Sequence, residues 1–261
     1  MTYLAPLLVF LLLAAPGLRL LTLSWKTREV PELLCGLYFL GASIGISLRV
    51  LGTSLQWSDP ELSLSLNSIG HVALASGTIF MAVFTQRVFH AASHGAKTFA
   101  GFTIAAIMGT TLHSFLSGQI VVENSFSLVA TNTARIVPTA WAFVESFRYW
   151  RAMKRRANLG LSDPVVTNRF LLWSLWTGGV SGLPLIALMV RVAALVMFGG
   201  QALNESNGGE LAPQVLALIR LAFLVIVPVS VTALSLSFFP PRIYIARLRS
   251  RAEAYPATAS T

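Results

Sequence analysis

The chain has 261 residues, of which 55% are hydrophobic and only 11% are charged, and its mean hydropathy is +0.70. Soluble globular proteins carry roughly 25% charged residues, so this composition predicts a polytopic membrane protein. A transmembrane helix needs about 20 apolar residues, and seven of them leave no room for a separate soluble enzymatic or DNA-binding domain. The single cysteine, Cys35, excludes an internal disulfide and a cysteine-based zinc site.

Seven apolar segments of spanning length follow one another along the chain, and each is predicted to be a transmembrane helix. They cover residues about 3–24, 31–54, 64–89, 98–117, 126–149, 165–199 and 212–239. We therefore expect an all-α fold, a seven-transmembrane-helix bundle formed by residues 1–245. Residues 246–261 are predicted to be a short basic segment followed by a disordered tail. Asp163 precedes Pro164, an arrangement typical of a helix N-cap.

Basic residues are concentrated in alternate connections of this bundle. The loops after the first, third and fifth helices and the C-terminal segment contain Lys and Arg, whereas the other loops contain acidic residues and no Lys or Arg. Because basic loops stay in the cytoplasm, we expect the N-terminus outside and the C-terminus in the cytoplasm. The same distribution explains the net charge of +9 without nucleic acid as a partner. Leucine, alanine and arginine usage and short loops favour the plasma membrane, specifically a bacterial inner membrane.

A second group of charged or titratable residues lies inside the predicted spans, in their outer half. Its members are Arg49, His71, His113, Arg135, Arg191 and Arg220, one from each of helices two to seven. A charged side chain inside a span costs at least ~2.5–3.5 kcal/mol, so such residues normally face the bundle interior and belong to a functional site. We therefore predict that they form a ligand-binding cluster.

Neighbours one helical turn away support an inward orientation for part of this cluster. His71, His113 and Arg135 share helix faces with small or polar residues, and Asn132 lies on the Arg135 face and is included in the predicted site. Arg49 continues the small-residue row of Gly41 and Gly45, which is typical of helix packing.

The acid needed to balance these cations is missing from the predicted spans. Glu145 is the one acidic residue inside a span, but it lies about 15 Å along the helix axis from Arg135, so it is expected to pair with Arg148, Arg87 or Arg169 instead. Three interpretations stay open. The arginines reach the outer headgroups and loop acids, they bind an anionic group as guanidinium forks do, or they contact another subunit.

The histidines and lysines of the chain decide which cofactors it could bind. His71 and His113 on consecutive antiparallel helices could ligate b-type haem axially, and this is kept as an alternative; no metal site is predicted otherwise, because a catalytic zinc needs three protein ligands. A retinal Schiff base requires a lysine within the bundle. The three lysines, Lys26, Lys97 and Lys154, all fall in predicted cytoplasmic segments, which excludes it.

The inner end of helix five continues as a basic and aromatic stretch. Its predicted contact residues are Glu145, Arg148, Arg151, Lys154, Arg155 and Arg156. Such a stretch is typical of a topological anchor at the headgroups, and we expect anionic lipids there; a docking surface for a cytoplasmic signalling partner is the alternative.

The function predicted from these features is a sensor or receptor-like bundle that binds a small anionic or amphiphilic ligand. The alternatives are a transporter or flippase of an acidic solute or lipid, the haem protein, a membrane-embedded enzyme acting on an acidic lipid, and a structural subunit of a larger assembly with Gly41 and Gly45 as its interface. No nucleophile and base set favours an enzyme.

Overall fold

The computed structural model describes residues 4–117, 126–159, 161–198 and 212–253. Within these ranges every regular element is an α-helix. The helices are α1 Leu4–Thr27, α2 Val30–Leu55, α3 Pro60–Phe89, α4 His94–Leu116, α5 Phe126–Asn158, α6 Pro164–Phe198, α7 Ala212–Phe238 and α8 Arg242–Glu253. The predicted all-α class is confirmed, and each of the seven predicted segments coincides with one of the first seven helices.

Capping residues set several of these boundaries. The carboxylate of Asp59 accepts a hydrogen bond from the backbone N–H of Leu62 at 3.0 Å, at the start of α3. Asp163 accepts from the N–H of Val165 at 2.8 Å, directly before Pro164 opens α6. This bond confirms the predicted N-cap at Asp163. Pro164 suits the first helical position, because an N–H there would have no partner within the helix.

Three of the described helices, α2, α3 and α4, are long and apolar enough to cross a membrane. Residues 224–238 of α7 and 242–248 of α8 form a fourth candidate as a pair bent by 87°. The chain is therefore a helical membrane protein with three, or up to four, candidate spans among the residues that the structure describes. The seven-span count and the orientation of the termini stay predictions.

The basic C-terminal segment begins as a helix. Residues 246–261 were expected to form a short basic stretch and then a disordered tail, and α8 covers the basic stretch as far as Glu253. Residues 254–261 lie outside the described ranges. The turn that separates α8 from α7 contains Pro240 and Pro241, and neither can continue a helix from the preceding residues.

The described chain divides into two compact units, Met1–Thr139 and Ala140–Thr261. In the first unit, α2 and α3 approach each other through glycine. A Cβ added to Gly45 would lie 2.8 Å from the carbonyl oxygen of Gly70, and one added to Gly70 would lie 2.8 Å from the carbonyl oxygen of Gly45. These distances are too short for a side chain, so the two backbones touch directly. Gly41 meets the Cα of Gly77 in the same way, at 2.7 Å.

The Gly41 and Gly45 row is therefore occupied within the chain. These two glycines were predicted as a possible interface of a structural subunit, but α3 of the same chain covers them. This corrects that alternative, because a face already packed backbone to backbone has no surface left for a second copy.

The second unit is built on α6, α7, α8 and the C-terminal part of α5. A Cβ on Gly179 of α6 would collide with the hydroxyl of Ser230 on α7, so glycine again permits close helix packing. The side-chain amide of Asn168 in α6 donates a hydrogen bond to the Tyr244 hydroxyl at 2.5 Å. This bond attaches α8 to the first turns of α6.

Replacing Gly45 by alanine is expected to destabilise the protein by about 1–3 kcal/mol, the usual cost of overpacking. The added methyl would meet Leu74 and Gly70 at 2.7 and 2.8 Å. Thermal unfolding of the purified protein in a non-ionic detergent, followed by tryptophan fluorescence, measures the effect.

Gly109→Ala is the matched control, because nothing lies within 4 Å of a Cβ at Gly109. This variant should be neutral or gain up to ~1 kcal/mol from helix propensity. Equal destabilisation by the two alanines would contradict the assigned α2–α3 contact.

Candidate functional site

A buried arginine joins three helices of the first unit. Arg135 of α5 is only 5% exposed, and its Nη2 donates to the backbone carbonyl of His71 in α3 at 3.0 Å. Its Nη1 lies 3.4 Å from Nδ1 of His71, and Nη2 lies 3.5 Å from the hydroxyl of Thr111 in α4. The guanidinium is thus held by two side chains and one carbonyl, without a carboxylate.

The contact between the two side chains assigns the protonation of His71. A guanidinium only donates hydrogen bonds, so Nδ1 of His71 must be the acceptor and the ring is neutral with its proton on Nε2. His71 is fully buried, and its Nε2 has no hydrogen-bond partner among the described residues. Nε of Arg135 is also buried and without a partner there. The site therefore presents two unused donors and lacks acceptors, each unmet donor costing roughly 1–3 kcal/mol.

A second cation stands beside this pair. The side chain of Arg49 in α2 runs along Gly70, where a Cβ would lie 2.9 Å from Cγ of Arg49. Gly70 is the residue before His71, and the positive charge of Arg49 acts on both His71 and Arg135. Across the described ranges, no acidic side chain forms an ion pair with Arg49 or Arg135. Among the described residues, the positive charges of these two arginines are therefore not balanced by a carboxylate.

The faces predicted for His71 and Arg135 are confirmed. On α3 the neighbours of His71 at helical spacing are all buried, namely Asn67, Ala75, Thr78 and Ala82. On α5, Thr131 and Thr139 are buried together with Arg135, and Asn132 is half-buried. The small and polar residues on these faces let the helices approach closely around the two chemical groups.

The predicted orientation of His113 is wrong. An inward orientation was predicted for His113 from the small and polar residues on its face, but its side chain is exposed. Gly109, which shares that face, has nothing within 4 Å of an added Cβ. The face of α4 that packs contains Ile107 and Ser114, which are both fully buried. Because successive residues turn by about 100° around a helix, the residue before Ser114 is rotated away from the core. Helical spacing had shown which residues share a face, but not which face turns inward.

The haem alternative depends on His71 and His113 facing each other, and the placement of these two residues gives it no support. His71 is fully buried with Nδ1 beside Arg135, whereas His113 is exposed. The two rings are not presented to one common site. Across the described ranges there is also no group of three or more His, Cys, Asp or Glu residues that could hold a metal ion.

The other predicted site residues divide into two groups. Arg191 belongs to α6 and Arg220 to α7, but their side chains lie outside the described part of the chain, so their membership in the cluster stays a prediction.

At the end of α5, Nη1 of Arg148 lies 3.5 Å from the Glu145 carboxylate. This ion pair confirms one of the partners predicted for Glu145.

Sequence reasoning missed the α4 residues that complete the site. Thr111 contributes its hydroxyl near Arg135, and the Phe115 ring packs edge-on against the His71 ring with centroids 6.4 Å apart. The two residues are four positions apart and share a helix face, and this spacing could have identified them. The choice of the His113 face for α4 concealed it.

Thr131 fastens α5 to α4 next to this site. Its hydroxyl donates to the carbonyl of Thr110 at 3.1 Å and lies 3.0 Å from the hydroxyl of Ser114. Hydroxyl bonds between helices are a common device inside membranes, where the backbone cannot bond water. They fix the rotation of α4 that brings Thr111 to Arg135.

Comparison of the chain with protein-family models, with characterised proteins and with solved structures found no match. The interpretation of the site therefore depends on its own geometry and chemistry.

Replacing Thr131 by valine is expected to cost about 0.6–1.7 kcal/mol, the range measured for hydrogen bonds between membrane helices. The shape is kept, while the bonds to Thr110 and Ser114 are lost. Thermal unfolding in detergent measures the loss. Thr98→Val is the control, because the Thr98 hydroxyl is exposed and bonds the carbonyl of His94 in its own helix. Similar effects of both variants would disprove the interhelical role.

Proposed function

We propose that this chain is a receptor-like membrane protein that binds the anionic group of a small or amphiphilic ligand at the cluster of Arg49, His71 and Arg135. One observation carries the proposal: a buried guanidinium with no ion-paired acid lies beside a second cation and two unused N–H donors. Buried charges in membranes are normally paired or functional. A bound anion would supply both the missing charge and the missing acceptors.

Carboxylate and phosphate groups are the ligand chemistry that fits these donors. Both present several oxygen acceptors, and a guanidinium holds them through parallel hydrogen bonds that an ammonium cannot match. The neutral His71 ring offers one further donor, Nε2–H, without adding charge. Because the cluster lies on predicted spans, an amphiphile that carries an acidic headgroup on an apolar chain is the favoured class.

A transporter or flippase of an acidic solute or lipid would use the same binding step, and it is the second candidate. The receptor-like function is preferred because Arg135 is held by a backbone carbonyl of a packed helix, which favours a fixed site. No arrangement of nucleophile and base supports catalysis at this cluster.

The proposal includes a topology. We infer seven membrane crossings with the N-terminus outside and the C-terminus in the cytoplasm of a bacterial inner membrane. The support is the alternation of basic and acidic connections along the chain. In this orientation the cluster lies in the outer half of the membrane.

Dodecanoate is expected to raise the melting temperature of the protein in non-ionic detergent, whereas dodecanol, which lacks the charge, is not. A ligand present at 100 times its Kd stabilises the folded state by about 2.7 kcal/mol. Arg135→Gln should abolish most of this shift, because it removes the guanidinium that bonds the acid.

Arg87→Gln is the control for the loss of one positive charge, since Arg87 is exposed in the last turn of α3. This variant should respond to dodecanoate as the unmodified protein does. An unchanged response in Arg135→Gln, or equal losses in both variants, would refute the anion site.

The topology is tested with a membrane-impermeant maleimide on intact cells. Trp57→Cys is expected to react from outside, because Trp57 is 94% exposed in the connection between α2 and α3. Ala92→Cys, between α3 and α4, should react only after the cells are permeabilised. The native Cys35 is buried and serves as the unreactive background. Reaction of the two sites in the opposite order would invert the proposed orientation.

A further inference from the structure

A recess of about 580 Å³ lies at the C-terminal end of α5, in the second unit. Four cationic side chains and one indole line it: Arg148, Trp150, Arg151, Lys154 and Arg155. We call this group the basic recess. None of its residues belongs to the cluster around Arg135, so it requires an explanation of its own.

Helical spacing explains how one helix forms this surface. Arg148, Arg151 and Arg155 recur at intervals of three and four residues and therefore share a face. Trp150 and Lys154 form the adjacent row, with the Lys154 ammonium 5.3 Å from the centre of the indole ring. This cation–π contact holds the lysine head beside the ring.

The positive charge of the recess is mostly uncompensated. Glu145 pairs with Arg148 at 3.5 Å. In the described ranges, no carboxylate pairs with Arg151, Lys154 or Arg155, and all three side chains are exposed. The recess can therefore accept negative charge without first breaking an ion pair.

Hydrogen bonds bring the basic end of α5, the start of α6 and α8 to the same end of the second unit. The Ser162 hydroxyl donates to the carbonyl of Met153 at 3.2 Å and lies 3.0 Å from the hydroxyl of Thr167. The next residue, Asn168, bonds Tyr244 of α8. The C-terminal end of α5 and α8 are thus both attached to the first turns of α6 and their preceding connection.

The direction of α8 suits a membrane surface. It is bent by 87° from the end of α7, so a membrane-crossing α7 would leave α8 running along the headgroups. Its exposed side chains include Arg242, Ile243 and Arg247, with Ile243 71% exposed. Basic helices with exposed apolar residues lie in this position at the interface.

We propose that the basic recess, supported by α8, is a binding site for the headgroup of an anionic phospholipid. The phosphate would be held by Arg151, Lys154 and Arg155, and Trp150 would lie at the headgroup level, where tryptophan is enriched. Charge complementarity selects this occupant, because each basic residue near an anionic bilayer adds to the attraction. The site is separate from the proposed anion site at Arg135.

The test is native mass spectrometry of the full chain, titrated with dioleoyl phosphatidylglycerol or phosphatidylcholine in detergent micelles. The first phosphatidylglycerol should bind more tightly than phosphatidylcholine, and added salt should weaken it. Arg151→Gln/Lys154→Gln/Arg155→Gln is expected to weaken phosphatidylglycerol binding roughly tenfold or more.

The matched control is Lys26→Gln/Arg87→Gln/Lys97→Gln, which removes three exposed cations from the first unit. It should bind phosphatidylglycerol as the unmodified protein does. Equal weakening by both triple variants would overturn the proposal, since binding would then follow total charge. Unchanged binding in the recess variant would also overturn it, since the lipid would then bind elsewhere on the protein. Displacement of the lipid by equimolar glycerol 3-phosphate would show that the recess takes soluble phosphates instead.

Discussion

The contact between the backbones of α2 and α3 is the constraint on which the site in the first unit depends. Gly45 and Gly70 face each other so closely that a Cβ on either would lie 2.8 Å from the carbonyl oxygen of the other. Arg49 follows Gly45 by one helical turn, and His71 follows Gly70 directly. The glycine contact therefore brings a cation of α2 beside a histidine of α3. Inside a membrane, where the hydrophobic effect does not drive helices together, such close packing supplies much of the association energy.

Arg135 completes this arrangement from α5, and its environment decides how the site can be interpreted. Its terminal nitrogens donate to a carbonyl, a neutral imidazole and a hydroxyl. These acceptors take up its hydrogen bonds, but none of them carries a negative charge. A structural clamp would be built at lower cost from a neutral side chain, because an unpaired buried cation is expensive. The proposed anion would balance this charge and would also accept from the two donors that have no partner among the described residues.

The two cationic regions of the chain differ in solvation and therefore in chemistry. Arg135 is buried, so its charge is little screened and suits specific recognition of a single group. The cations of the basic recess are exposed, so their attraction is weaker, additive and sensitive to salt. The first arrangement suits a ligand site, and the second suits a charged lipid surface. The first lies in the first compact unit and the second in the second.

The sequence by itself determined the helical class, the positions of the first seven helices and the faces that carry His71 and Arg135, because hydropathy, proline, capping residues and the helical period act over a few neighbouring positions. It also shows that no acidic residue is close to Arg135 along its own predicted span. Tertiary structure decided the rest. The contact of Arg135 with His71 joins residues 64 positions apart, and the rotation of α4 that exposes His113 and buries Ser114 follows from its bonds to α5. Tertiary structure also decided the direction of α8 relative to α7, a bend of 87°. A helix has the same internal period whichever face turns inward, so only its fit to distant segments selects that face.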